Sequence, residues 1–432
     1  MSAEEPMTVD QWLKLAPKPR PLDAEKGQKW HVFLSYRSTY RPWVLQLYDV
    51  LRHLDFEVFL DQYVLLPATA LAASLSEGLD RSASGVIVWS GAFADSDWCL
   101  EELNSMITKR ASDKSFYFVI ATLNSADRLP ALAKNKLYID FSEFREGPRG
   151  GGLLKLLYGL LGQAPPDAVV KLAAQVDEET TKTLAQIKGY REIGAPEKLV
   201  ALTTRETPAW LTSPLLGSNV AESLISLGEY DKALAVIGRL KGHFPKAIRP
   251  RQLEGLALAH QKKRVEAQEV LATLYAEGER DPETLGIYAR TWKDRYSETH
   301  SLLHLRKSRD LYAEAFDGSA HDYYTGINAA SMSVLLGELE EAEEYAARVE
   351  ELVGTEPTPD DYWKTATVAE VQLIRRNYDK AVELYDAAVT LSPEAVGDHG
   401  STWKQAQLLM QKLNPPPDAR QKIANVFAHI KE

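Results

Sequence analysis

Residues 31–36 read HVFLSY, the first of five short apolar runs that are rich in β-branched and aromatic residues. The other four are FEVFLD (56–61), SGVIVWS (84–90), FYFVIA (116–121) and KLYIDF (136–141). Each run has the length of a β-strand, and amphipathic stretches separate them. The pattern therefore predicts strands that alternate with helices, which is typical of a parallel sheet buried by helices on both faces.

The order of these predicted elements indicates where a ligand would bind. The predicted helices are 43–54, 70–82, 98–110 and 153–162. Five strands with this alternation favour the flavodoxin-like strand order 2-1-3-4-5, in which ligands lie beyond the carboxyl ends of the strands, where the order reverses. We therefore expect a site formed by the loops after the first three strands, at 36–41, 61–67 and 90–97.

Strand signals stop near residue 165, and similar helical segments follow. Each contains an alanine at the expected crossing of two helices, at Ala233, Ala267, Ala342 and Ala381. The first two alanines are 34 residues apart, and the gap of 75 in the middle has room for one more unit, whose second helix we place at 308–316. This period, with a small residue where helices approach, is typical of tetratricopeptide-like hairpins. It predicts an all-α solenoid of about five to six hairpins.

The bulk composition excludes several classes of protein. A chain of 432 residues indicates two or three domains, and its formal net charge of −11 gives no support for a nucleic-acid partner. Cys99 is the only cysteine, which fits a reducing compartment. The sequence has no run of about 18 apolar residues and no secretory signal, so we expect no membrane association and a cytoplasmic location.

These signals divide the chain into four parts. We expect a polar leader with one short helix near 9–15, an α/β domain, a helical linker and the repeats. Their predicted bounds are 1–27, 28–164, 165–215 and 216–432.

Three strings in the α/β region occur in a specific order and spacing: HVFLSYR from residue 31, FLDQYVLLP from residue 59 and SDWCLEEL from residue 96. Together they resemble the TIR domain, especially the plant immune-receptor and bacterial types, over residues 28–162. Some TIR domains cleave NAD⁺ at the nicotinamide–ribose bond. The resemblance implies that Glu102, four residues after Trp98, is the catalytic residue. It also implies a set of substrate-binding residues, which are Tyr36, Arg37, Asp61, Ser96 and Trp98.

The chemistry that this resemblance implies needs one carboxylate. Nicotinamide leaves a cationic pyridinium as a neutral molecule, so no general acid is required. A single carboxylate can orient the ribose hydroxyls and stabilise an oxocarbenium-like transition state, unlike the carboxylate pair of ordinary glycosidases. NAD⁺ is then a substrate, and we expect neither a separate cofactor nor a metal site.

The repeat region has a resemblance of its own. The string DYYTGINAA (322–330) is similar to the tetratricopeptide-like region of apoptosis signal-regulating kinases, and the chain carries no kinase signature. This implies a regulatory module that binds a protein or peptide. Combined with the TIR resemblance, it implies an immune effector that is activated by self-association through its TIR domain, as in bacterial anti-phage defence.

Other interpretations stay open at this stage. The chain could be a non-enzymatic TIR scaffold, or an effector that disrupts a host's TIR signalling. Glu102 could be a solvated residue on a surface helix, and Arg41 could simply pair with a surface carboxylate. Three glycines at 150–152 precede a helix and could bind phosphate, although a flexible loop is the favoured interpretation.

Overall fold

The segment at 31–36 and four others form one parallel sheet in the computed structural model. The structure describes residues 16–37, 40–60, 71–94, 97–123, 129, 138–142, 147–211, 213–245, 247–318 and 322–430. The strands are β1 (Trp30–Ser35), β2 (Val58–Phe59), β3 (Ser82–Trp89), β4 (Tyr117–Thr122) and β5 (Tyr138–Asp140). Their order is β2-β1-β3-β4-β5 with every neighbouring pair parallel, which confirms the predicted order.

Within the described residues, five helices belong to this α/β region. They are α1 (Arg41–His53), α2 (Leu71–Asp80), α3 (Gly91–Ala94), α4 (Asp97–Ser112) and α5 (Gly150–Leu160). Each of the four predicted helices is present with its bounds shifted by a few residues. The short helix predicted near 9–15 lies outside the described residues.

The two faces of the sheet are covered by different helices. Phe33, Ile87 and Ile120 point to one face, where they form a core with side chains of α2 and α4 that include Leu79 and Leu103. Residues between them in sequence point the other way because side chains alternate along a strand. Helices α1 and α5 cover that second face. The strand β5 departs from the expected burial, since it lies at the edge and Tyr138 is exposed.

The glycines at 150–152 begin helix α5, so the prediction of a flexible loop there was wrong. Gly150 has a φ of +50°, which favours glycine. The amide of Gly151 donates a hydrogen bond of 2.8 Å to Oδ2 of Asp177. A carboxylate of the chain itself therefore lies at this helix N-terminus, where a phosphate would otherwise bind.

The chain from residue 167 onward is helical in the described residues. Three helices fill the predicted linker: α6 (Asp167–Glu192), α7 (Pro196–Leu202) and α8 (Pro208–Leu211). Six helical hairpins follow within the described residues, in agreement with the predicted number of about five to six. Their helices are α9 (Leu215–Ser226), α10 (Tyr230–His243), α11 (Ile248–His260), α12 (Arg264–Ala276), α13 (Pro282–Thr299), α14 (Leu302–Gly318), α15 (Tyr323–Leu336), α16 (Leu339–Val353), α17 (Tyr362–Ile374), α18 (Tyr378–Leu391), α19 (Val396–Leu413) and α20 (Pro417–Val426).

The chain divides into two compact units between Glu279 and Arg280. The first unit contains the sheet, the linker helices and the first two hairpins, α9–α10 and α11–α12. The second contains the remaining four hairpins. The sheet therefore shares a compact unit with the start of the repeats.

The four alanines singled out in the repeats are all completely buried. Each lies in the second helix of its hairpin, at Ala233, Ala267, Ala342 and Ala381, so the packing role predicted from their spacing is confirmed. The predicted additional second helix at 308–316 lies within α14.

We expect Ala267→Leu to destabilise the second hairpin by about 1–3 kcal/mol, because three added methylene-sized groups have no space in a fully packed crossing. Ala276→Leu is the matched control, since Ala276 lies in the same helix but is exposed. Urea unfolding followed by circular dichroism measures both. Equal effects of the two substitutions would contradict the packing role of Ala267.

Candidate active site

Glu102 lies beyond the carboxyl end of β1, at the position expected for a ligand site. It is half-buried on α4, which covers the face of the sheet that carries Phe33 and Ser35. The hydroxyl of Ser35 donates a hydrogen bond of 2.5 Å to Oε2 of Glu102. This bond holds the carboxylate in one orientation, which argues against the interpretation of Glu102 as a freely solvated surface residue.

The sequence interpretation missed Ser35. The signal was present, because Ser35 is two residues after Phe33 and therefore points to the same face of the strand. It differs from its neighbours on that face in carrying a hydroxyl group, at the last residue of β1.

A groove between α2 and α4 begins at Glu102. Its volume is about 690 Å³, within the range of small-molecule sites. Phe33 and Leu79 form part of its apolar wall. The other end of the groove reaches Lys109, whose ammonium donates to the carbonyl of Ser82 at the start of β3. The groove therefore leads from Glu102 towards the amino ends of the strands.

Tyr36, the next residue of the chain, contacts the opposite helix layer. Its hydroxyl accepts a hydrogen bond of 2.7 Å from Nη1 of Arg41, in helix α1. Its backbone carbonyl lies 4.0 Å from Sγ of Cys99, in the first turn of α4. The segment at Tyr36 therefore links the helix that carries Glu102 to the helix on the other face of the sheet.

The structure describes the other predicted substrate-binding residues only in part. Arg37 is half-buried directly after Tyr36. Trp98 belongs to α4, one turn before Glu102, but its side chain lies outside the described part of the structure. Asp61 and Ser96 also lie outside the described residues. Their roles as substrate contacts stay predictions.

Arg41 corrects an expectation from the sequence, because its partner is not a surface carboxylate. Its Nη2 donates to both carboxylate oxygens of Glu279, at 2.8 and 3.0 Å. The side chains of Arg41 and Glu279 are only 3% and 0% exposed. The first residue of helix α1 is thus held by a fully desolvated ion pair to the end of the second repeat hairpin.

Local sequence explains the position of Glu279. Gly278 has a φ of +97°, and its amide donates to the carbonyl of Tyr275, while the amide of Glu279 donates to the carbonyl of Leu274. These two bonds form a Schellman motif that ends helix α12. The glycine turns the chain back, and Glu279 is thereby fixed against Arg41.

Asp49, further along α1, contacts the same hairpin. Its Oδ1 accepts a hydrogen bond of 3.3 Å from the amide of Ile248, at the start of α11. Burial is the main cause that raises the pKa of Asp49 well above its ordinary value, and the nearby charge of Glu279 raises it further. The hydrogen bond from the Ile248 amide lowers the pKa of Asp49, and so does the positive charge of Arg251.

We expect Asp49→Asn to stabilise the protein at neutral pH and to leave it nearly unchanged at acidic pH. A raised pKa means that the folded state retains a proton that the unfolded state has lost. Stability is therefore lost as the pH rises from the unfolded pKa towards the folded one. Hydrogen exchange of the β3 amides against urea concentration, between pH 4 and pH 8, measures this for the first compact unit. A constant difference in stability across that range would contradict the assignment.

The described residues contain no group of three or more His, Cys, Asp or Glu side chains arranged to hold a metal ion. Within the same part of the chain, no helix is long and apolar enough to cross a membrane.

Comparison with known proteins assigns both regions. A model for the TIR domain matches residues 32–153, and a model for the Tetratricopeptide Repeats-Sensor family matches residues 219–333. Similar solved structures include TTC0263, a thermophilic TPR protein of Thermus thermophilus, with 17% identity, a TM-score of 0.37 and coverage of 49% of this chain and 97% of that chain.

Two further similar structures are a tetratricopeptide repeat protein of Parabacteroides merdae and human IFIT1. The first has 15% identity and a TM-score of 0.33, covering 49% of this chain and 78% of its own. The second has 12% identity and a TM-score of 0.38, covering 79% and 82% respectively. The matched family models thus assign a TIR domain to residues 32–153, in agreement with the parallel sheet, and a tetratricopeptide-repeat sensor region to residues 219–333.

Proposed function

We propose that this protein is an NAD⁺ glycohydrolase whose catalytic residue is Glu102. The observation that carries the proposal is the half-buried Glu102 carboxylate, held by the Ser35 hydroxyl at the carboxyl end of β1. This is where a doubly wound sheet binds nucleotides. The TIR match over residues 32–153 supports the same assignment.

The proposed reaction breaks the bond between C1′ of the ribose and N1 of nicotinamide. The bonding electrons go to the pyridinium nitrogen, so nicotinamide leaves as a neutral molecule. Positive charge develops on the ribose, where a fixed carboxylate stabilises it more strongly than reorienting water would. Water then adds at C1′ and releases one proton, which yields ADP-ribose; attack by an adenine nitrogen of the same molecule would yield a cyclic product instead.

The proposed mode of control involves self-association of the TIR domain and regulation by the repeats. The TIR and repeat matches support an effector or scaffold with this organisation. We further propose a setting in innate immunity, such as bacterial anti-phage defence by NAD⁺ depletion, with a protein or peptide partner bound by the repeats.

The test is incubation of the full-length protein with NAD⁺ over a range of protein concentrations, with chromatographic separation of the products. We expect nicotinamide and ADP-ribose or its cyclic form, at a rate that rises more steeply than the protein concentration. Light scattering on the same samples reports assembly. Assembly without any nicotinamide release would favour the alternative function, a non-enzymatic TIR and repeat scaffold.

A further inference from the structure

We infer that Glu279, in the repeat region, is a positioning residue of the TIR site. This inference rests on the proposed function, because it concerns the site in which Glu102 acts. It starts from an unbroken series of contacts inside the first compact unit. Glu279 binds Arg41, Arg41 binds the hydroxyl of Tyr36, and Ser35, the neighbour of Tyr36, binds Glu102.

The first step of the series is rigid. One guanidinium nitrogen contacts both oxygens of Glu279, and both side chains are almost completely removed from solvent. Separating such a pair leaves a buried charge, which is costly, so Arg41 keeps a single position while Glu279 is in place. The Schellman motif at Gly278 in turn fixes Glu279 to the end of α12.

The second step transmits that position to the loop after β1. Arg41 uses Nη2 for Glu279 and Nη1 for Tyr36, so the planar guanidinium sets the distance between the two partners. Tyr36 is held at two points, by its hydroxyl and by its backbone near Cys99. A side chain fixed in this way loses less conformational entropy when it contacts a substrate.

A repeat hairpin therefore fixes the loop after β1, which belongs to the TIR domain. A movement of the turn at 277–279 away from helix α1 would release Arg41 and then Tyr36. A partner that binds the repeats and moves this turn would therefore change the position of Tyr36 in the substrate site. The sheet itself would not change.

The experiment compares full-length Glu279→Gln, Tyr36→Phe and the double variant with the wild type. Glu279→Gln removes the negative charge that holds Arg41. Tyr36→Phe removes only the hydroxyl that accepts the hydrogen bond from Arg41. We expect each single variant to raise KM for NAD⁺ about tenfold, equivalent to about 1.4 kcal/mol, with a smaller change in kcat. Because both act through the same contact, the double variant should resemble either single variant.

Phe244→Leu is the matched control for a loosened interface. Phe244 is buried against the ring of His53, at 4.9 Å between centroids, at the other end of helix α1. That end is about 18 Å from Arg41 by the rise of the helix. Phe244→Leu should lower stability but leave KM for NAD⁺ unchanged. Independent tenfold effects that multiply in the double variant, or an equal KM change in Phe244→Leu, would overturn the inference.

Amide hydrogen exchange provides a readout that does not depend on catalysis. The amide of Tyr40 donates to the carbonyl of Arg37 at 2.9 Å, within the loop that Arg41 anchors. Glu279→Gln should speed exchange at Tyr40 about tenfold more than Phe244→Leu does. If no variant of the protein cleaves NAD⁺, this difference would still show that Glu279 orders the loop after β1, and only the proposed function would fail. Equal exchange in both variants would refute it even if the wild type is an active enzyme.

Discussion

We expect Glu102→Gln to lower the rate of nicotinamide release from NAD⁺ by about a hundred- to thousand-fold. Glutamine has nearly the same shape as glutamate and can still accept the hydrogen bond from Ser35, so the local packing is retained. The substitution removes the negative charge that stabilises the developing positive charge on the ribose. The effect should therefore fall on kcat rather than on KM. Single-turnover assays with full-length protein measure it.

Glu101→Gln is the matched control for this experiment. Glu101 is the preceding residue of helix α4 and also borders the groove, but its side chain is exposed. We expect its removal to change the rate by less than about threefold, because solvent screens an exposed charge. Equal losses in the two variants would show that Glu102 has no specific catalytic role.

The second large effect concerns stability. We expect Glu279→Ala to destabilise the first compact unit by about 3–5 kcal/mol, because it removes a buried carboxylate that pairs with the guanidinium of Arg41. A chain with two compact units need not unfold in one step, so a single melting temperature is not sufficient. Hydrogen exchange of the amides in β3, measured against urea concentration, reports on the first unit alone.

Two further variants separate charge burial from simple loss of contact. Glu277→Ala removes a carboxylate two residues away that pairs with Arg251 at 2.6 Å but is 50% exposed, and should cost less than about 1 kcal/mol. The double variant Arg41→Met with Glu279→Leu replaces both charges by apolar groups. It should recover most of the loss of Glu279→Ala, because the buried guanidinium is removed together with the carboxylate that pairs with it. Failure of that recovery would mean that shape rather than charge dominates at this contact.

The catalytic and stability experiments address different steps of one series of contacts. Glu102 is expected to act on the substrate, whereas Glu279 is expected to hold Arg41 and, through it, the loop at Tyr36. A variant at Glu279 that lost stability but kept the KM of the wild type would restrict this ion pair to a structural role. The two sets of measurements therefore distinguish a domain contact from a regulatory one.

Much of the fold could be predicted from local patterns. The apolar runs, including HVFLSY at 31–36, predicted five parallel strands in the observed order, since period and length are properties of short segments. The spacing of Ala233, Ala267, Ala342 and Ala381 predicted the hairpins for the same reason. The position of Glu102 near the carboxyl end of β1 followed from the strand order and the TIR resemblance.

Contacts between distant parts of the chain could not be predicted in this way. Arg41 and Glu279 are separated by 238 residues, and neither has a local pattern that indicates the other. Likewise, the amide of Gly151, at the N-terminus of α5, donates a hydrogen bond to Asp177, which lies in a different helix. Periodicity and turn chemistry determined which segments of this protein become strands, helices and hairpins. Only the tertiary structure decided which buried charges meet, because a desolvated charge is stable only where the packing of separate elements brings its partner within hydrogen-bonding distance.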